Sequence, residues 1–125
     1  MDKLYARQRR KHMRYDLYQI KAATATPAAD KAKIDMMMDF SDNKIGGIAR
    51  DAWDKFFYTR VATLDAKDYN DAFEVGNIGP EEKITRYAAL SSASVGDILI
   101  AEDGTIAVIA NIGFIQIGYS AVHAA

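Results

Sequence analysis

Six basic residues crowd the start of the chain: Lys3, Arg7, Arg9, Arg10, Lys11 and Arg14, interleaved with Tyr5 and Tyr15. Cations at this density neutralise phosphates, and the tyrosine rings among them offer faces on which bases stack. If all six reached phosphates on duplex DNA, binding would fall with salt at a log-log slope of about −5. Nothing in the run specifies base readout. Met1 to Ala22 holds seven basic against two acidic residues, and the remainder holds nine against fifteen. That separation suits an anionic partner, and it suits equally a basic segment folded back on its own acidic body.

Other titratable groups are sparse. Of the two histidines, His12 belongs to the basic run and His123 to a small-residue tail, so both are expected to be solvated and neither to hold a metal. Asp35, Asp39 and Asp42 recur at steps of four and three, as on one helical face. A hard cation would find oxygen ligands there, although a solvated acidic face explains them too. The calcium-loop template fails, because aligning Gly46 with its obligatory glycine puts Ile45 and Ala52 where oxygens are required. Asp97 is a general base by type, yet a carboxylate beside a turn glycine commonly serves by accepting backbone hydrogen bonds. There is no cysteine, hence no thiolate nucleophile or thiolate metal site. No phosphate-binding glycine loop, dinucleotide fingerprint or nucleophile elbow is present. The expectation is a protein that is not an enzyme, with no catalytic residues, cofactor or metal.

The elements that carry these residues are read from pattern. With 125 residues, half of them hydrophobic and about a quarter charged, the chain is one globular domain. No run approaches the roughly 18 apolar residues of a membrane span, and no signal-peptide core follows the basic start. The expectation is a cytoplasmic protein without membrane contact, in the host cytoplasm if phage-encoded.

Ser94 to Gly118 reads as three strands. Ile98, Leu99 and Ile100 are followed by Glu102, Asp103 and Gly104, a hairpin signal. Ile106, Val108 and Ile109 follow, then the break at Asn111, Ile112 and Gly113, then Phe114, Ile115 and Ile117. A buried helix is the alternative for so dense an apolar run, but β-branched residues and boundary glycines favour strands.

Upstream, Met13, Leu17 and Ile20 recur at helical spacing and predict a first helix. Thr26 is placed to cap a second helix opening at Pro27, with Ile34, Met37 and Met38 on one face. Those methionines fill a core or line a partner surface, and core is the expectation for a chain this small. A third helix runs from Ile45 toward Phe57, capped by Ser41 or Asp42, with Trp53 buried. Gly46 and Gly47 weaken it, so something nearby should need their lack of a side chain. Phe57 to Leu64 predicts a strand, Asp65 to Val75 a helix, Gly76 to Pro80 a loop and Lys83 to Tyr87 a short strand.

The fold class is therefore α+β: a helical N-terminal half, residues 1–57 with its basic arm, packed on a small mainly antiparallel sheet from residues 58–118, with 119–125 as a tail. The expected core is Trp53, Phe56, Phe73, Val95, Ile98, Ile100, Val108 and Phe114.

The run from Tyr58 to Gly118 resembles a group of small bacteriophage and mobile-element proteins, the YodL-like proteins among them. The resemblance rests on Ala72-Phe73 with Gly76-Asn77, on Ser94-Val95-Gly96-Asp97, and on Gly113-Phe114 with Ile115 and Ile117. It covers about half of the chain and implies an accessory protein of a phage or mobile element, with no particular reaction. Two functions follow as expectations. One is a non-catalytic factor binding a host protein or nucleic acid through the basic arm. The other is a structural subunit, a possible homo-oligomer, whose methionine and aromatic faces complete a shared core.

Overall fold

A computed structural model describes residues 12–21 and 26–122. Its strands are β1 (Met13–Gln19), β2 (Thr59–Ala66), β3 (Ile84–Arg86), β4 (Ile98–Ala101), β5 (Thr105–Ile109) and β6 (Phe114–Tyr119), and its helices are α1 (Pro27–Met37), α2 (Ile45–Asp54) and α3 (Tyr69–Ile78). A single 3₁₀ turn, Glu81–Lys83, precedes β3. The strands form one antiparallel sheet in the order β3-β2-β1-β4-β5-β6. The fold is α+β, with most strands in the C-terminal half. Among the described residues no helix is long and apolar enough to cross a membrane.

The first segment corrects the sequence reading. Met13 to Gln19 is a strand, and it lies in the middle of the sheet between β2 and β4. Tyr15 and Leu17 enter the core under α3, while Tyr18 and Ile20 enter the core under α1 and α2. A strand buried on both faces loses the polar-apolar alternation that marks a half-buried one. What remained visible was the chance spacing of Met13, Leu17 and Ile20.

Two cores sandwich the sheet. Beneath α3, Ala72 and Val75 pack on Tyr15, Leu17, Leu64 and Leu99. On the other face Ala29 and Met36 of α1 and Ile45, Ala49 and Ala52 of α2 pack on Ile98, Ile100, Ile106 and Val108. The expected meander is present, with glycines at positive φ in its turns, Gly104 (φ 94°) and Gly113 (φ 77°). Thr26 caps α1 as expected, its Oγ1 accepting from the Ala29 amide at 3.2 Å.

Other expectations need correction. Within α1 the inward methionine is Met36; Ile34, Met37 and Met38 are exposed. Phe56 is 91% exposed, because α2 ends at Asp54 and Phe56 takes up a left-handed conformation (φ 61°) just beyond it. Trp53 is half-buried, edge-on to Tyr18 at 4.9 Å, and Phe73, Val95 and Phe114 are also half-buried. Ile98, Ile100 and Val108 are buried as expected. Gly76 and Asn77 belong to α3 instead of a loop: a Cβ at Gly76 would lie 3.1 Å from the Ala93 Cβ, so the glycine serves close packing.

Candidate functional site

The basic arm divides at β1. Lys3, Arg7, Arg9, Arg10 and Lys11 lie outside the described residues, as does His123. Arg14 is built into β1, where its amide donates to Glu102 Oε1 at 3.0 Å. Carboxylates ring the root of the arm. His12 Nδ1 lies 3.6 Å from Asp65 Oδ1. Burial pushes the Tyr15 hydroxyl up to about 12, reinforced by the negative charges of Asp68, Asp103, Asp71 and Glu102. The acidic surplus of the chain is thus gathered in part where the basic segment enters the fold.

Asp97 sits where the 88–97 crossover enters β4, and it is 7% exposed. Its Oδ2 accepts from Gln19 Nε2 and from the Ser94 amide, both at 3.0 Å. Gln19 Nε2 also donates to the Ser91 carbonyl at 3.0 Å, and Gln19 Oε1 accepts from the Ser91 amide. Burial pushes the Asp97 carboxyl up to about 6, against the hydrogen bonds from Gln19 and Ser94 and the nearby Lys33 charge. Tyr58 closes the other side by donating to the Gly96 carbonyl at 2.6 Å. The arrangement ties the crossover to the central strand, the bracing role that a carboxylate beside a turn glycine performs.

The three spaced aspartates do not form a cation site. Asp35 pairs with Lys31 at 2.7 Å within α1, which ends before Asp39. Asp39 Oδ2 accepts from the Lys44 and Ile45 amides, both at 2.8 Å, and so caps α2 in place of Ser41 or Asp42. Asp42 accepts from the Asn111 and Ile112 amides at 3.0 Å and holds the β5-β6 turn against the α1-α2 loop. Backbone amides, from Lys44 on Asp39 and from Asn111 on Asp42, hold both carboxyls below the ordinary range. Among the described residues no group of three His, Cys, Asp or Glu side chains is placed to hold a metal ion.

Sequence reasoning missed a polar cluster on the sheet. Thr63 Oγ1 donates to the buried Asp16 at 2.6 Å, Arg60 Nε lies 3.8 Å from the same carboxylate, and the Arg60 guanidinium stacks 4.0 Å above the Tyr87 ring. With Asp16 assigned to a helix, its cross-strand pairing with Thr63 was invisible.

Large apolar side chains are also left to solvent. Ile34, Met37, Met38 and Phe40 are each at least half exposed, over α1 and the turn that follows it. The core expected for the methionines is reached by Met36 alone among these three, and Met37 and Met38 are on the surface. Comparison with protein-family models, with curated proteins and with solved structures found no match.

Proposed function

We propose that this protein is a non-catalytic accessory factor of a bacteriophage or mobile element that works in the host cytoplasm by association with a protein partner. The observation that carries the reading is the apolar surface of Ile34, Met37, Met38 and Phe40, since soluble monomers seldom leave large contiguous apolar patches to water. The disposition of the polar groups supports it: Asp39, Asp42 and Asp97 accept hydrogen bonds from the fold's own amides. The phage or mobile-element origin rests on the resemblance of the 58–118 segment to the YodL-like proteins.

In this reading the basic arm, Lys3, Arg7, Arg9, Arg10, Lys11 and Arg14, supplies electrostatic attraction to an acidic protein surface. The carboxylates at its root, Asp65 and Glu102 among them, repel any anionic partner alike, so the choice of a protein over nucleic acid rests on the apolar surface, which a polyphosphate does not cover. The test is binding to duplex and single-stranded DNA across salt, by the full chain and by a full-length variant with Lys3, Arg7, Arg9, Arg10 and Lys11 changed to glutamine. Deletion through Arg14 is unsuitable, because it would remove two residues of the central strand. Weak binding by both forms is expected. Tight binding with a slope near −5, lost in the variant, would replace the protein partner by nucleic acid.

A second reading, a structural subunit that acts through self-association, is favoured by the form of the α1 surface.

A further inference from the structure

The 88–97 crossover holds no helix or strand. Backbone hydrogen bonds fix its two ends: the Ala88 amide donates to the Val61 carbonyl at 3.3 Å, and the Gly96 amide to the Ile109 carbonyl at 2.8 Å. Between those ends, among the described residues, its hydrogen bonds to the sheet run through one side chain. Gln19 accepts from the Ser91 amide and donates to the Ser91 carbonyl. Apolar anchorage is slight. Of residues 89–95 Ala93 alone is buried, Leu90 and Val95 are half-buried, and Ala89, Ser91, Ser92 and Ser94 are exposed. Few buried contacts and much exposed backbone mark a segment that opens apart from global unfolding. A hollow of about 250 Å³ already lies between Ala89, Leu90 and Ser91 on one side and Ile20, Lys21 and Lys33 on the other. Asp97 stands at the root of this strap. Its Oδ2 accepts from the Ser94 amide and from the same Gln19 Nε2 that holds Ser91, so the latch itself rests on the carboxylate.

We propose that residues 89–95 are a strap that opens and closes locally over the end of the central strand, hinged at Ala88 and Gly96, and that proton uptake by Asp97 closes it. The inference does not rest on the association reading. Lifting the strap takes the Ser94 amide from Asp97 and admits water to the carboxylate. Closed, the carboxyl is pushed up by burial from 3.8 to about 6. Above about 6 it is charged in both states, and hydration of that charge favours opening. As the pH falls below 6 the closed strap takes up a proton that the open one does not yet bind. Opening therefore becomes rarer, tenfold per pH unit, until both states are protonated near pH 4. The whole change is about a hundredfold. Two titratable groups face Asp97 from the elements around it: Lys33 of α1, whose charge holds the carboxyl down, and Tyr58 ahead of β2, whose hydroxyl is pushed up by burial and by the Asp97 charge. Gln19 of β1 and the Ile109 amide of β5, which donates to the Asp97 carbonyl, add no charge. Of the three titratable side chains, the carboxylate is the one whose ordinary range lies on the acid side of neutrality.

The test is amide hydrogen exchange of the full chain by NMR from pH 7 to pH 4, corrected for intrinsic rates, with Asp97→Asn and Lys33→Met alongside. Trp53 fluorescence checks that each variant is folded. At pH 7 the Ser91 and Ser94 amides should be less protected than those of Leu17 and Leu99 in the central strands, and they should gain about a hundredfold in protection by pH 4. Asp97→Asn, uncharged throughout, should remove the pH dependence. Lys33→Met should move it to higher pH, because the charge that holds the carboxyl down is gone. Should Asp97→Asn not fold, the parent chain and Lys33→Met decide. Three results would overturn the proposal: Ser91 and Ser94 exchanging only as slowly as Leu17 and Leu99, protection that does not change with pH, or a change that Asp97→Asn retains or Lys33→Met leaves in place.

Discussion

The helical layers on the two sides of the sheet differ in what they show to water. Helix α3 buries Ala72, Val75 and Gly76 and presents Asn70, Glu74 and Asn77 outward, with Ile78 exposed only at its last position. Helix α1 buries Ala29 and Met36 and presents Ile34 and Met37 outward, with Met38 and Phe40 just beyond. One layer is completed by the chain; the other ends in side chains that gain by a further covering. The contrast teaches that sidedness, more than total hydrophobicity, tells whether a helix is the outermost layer of a protein.

The strongest way to break this contrast is to truncate one side chain on each side. Leu17 is fully buried on the central strand beneath α3, so Leu17→Ala should cost about 2–5 kcal/mol through lost transfer energy and a residual cavity. Ile34 is 59% exposed, and Ile34→Ala should change monomer stability by no more than about 0.5 kcal/mol. Urea unfolding at low protein concentration, where the monomer dominates, reads both. Comparable losses would mean that the outer side of α1 is packed within the chain, and the contrast would fail.

Asp97 sharpens the comparison where the two layers meet, since its hydrogen-bond partner Gln19 lies on the central strand while Tyr58 and Met36 border the adjoining Gly96. Its carboxyl is raised from 3.8 to about 6 chiefly by burial. Above both values it is charged whether the chain is folded or not, and the fold bears the cost of burying that charge. As pH falls through about 6 the folded chain takes up a proton that the unfolded chain does not yet bind, so stability rises. The gain levels off near pH 4 at roughly 2–3 kcal/mol. Asp39, Asp42 and Glu81 act with opposite sign, because their carboxyls are lowered; their stabilisation is lost only below the ordinary carboxylate range. Denaturation midpoints measured from pH 7 to pH 4 should therefore rise, and Asp97→Asn should flatten the rise. A profile unchanged by the substitution would remove Asp97 from the account.

Much of this was legible in the chain, and the failures share a cause. The meander was readable because Gly104 and Gly113 punctuate β-branched runs, and α1 was readable because Thr26-Pro27 states its start. The central strand was not. Its neighbours on both sides come from residues 40 or more positions away, so nothing local marks Tyr15 to Gln19 as paired. Phe56 was read as core from its step of three after Trp53, but the helix ends between them and the ring swings to solvent. The spaced aspartates misled for the same reason: a helical face was assumed across Asp39 and Asp42, where the chain turns and the carboxylates cap α2 and brace the distant Asn111 turn. The exposed methionines were identified as residues of interest, and their outward aspect became visible only once Met36 was seen to occupy the inward position.

The finest test of the contrast lies in the neighbouring glycines at the start of α2. Both weaken the helix by about 1 kcal/mol relative to alanine, yet only one has a reason within the chain. A Cβ at Gly46 would lie 3.3 Å from Ile115 Cγ2 on the sheet below, whereas a Cβ at Gly47 would enter the open groove. Gly46→Ala should therefore forfeit its helix gain to crowding against β6, and Gly47→Ala should raise the stability of the dilute monomer by about 1 kcal/mol. Thermal or urea unfolding of the two variants side by side reads the difference. Equal effects would mean that the sheet yields to a methyl at Gly46, or that Gly47 is already crowded. A gain at Gly47 alone would show that the chain keeps a weaker helix than it needs beside the groove between α1 and α2.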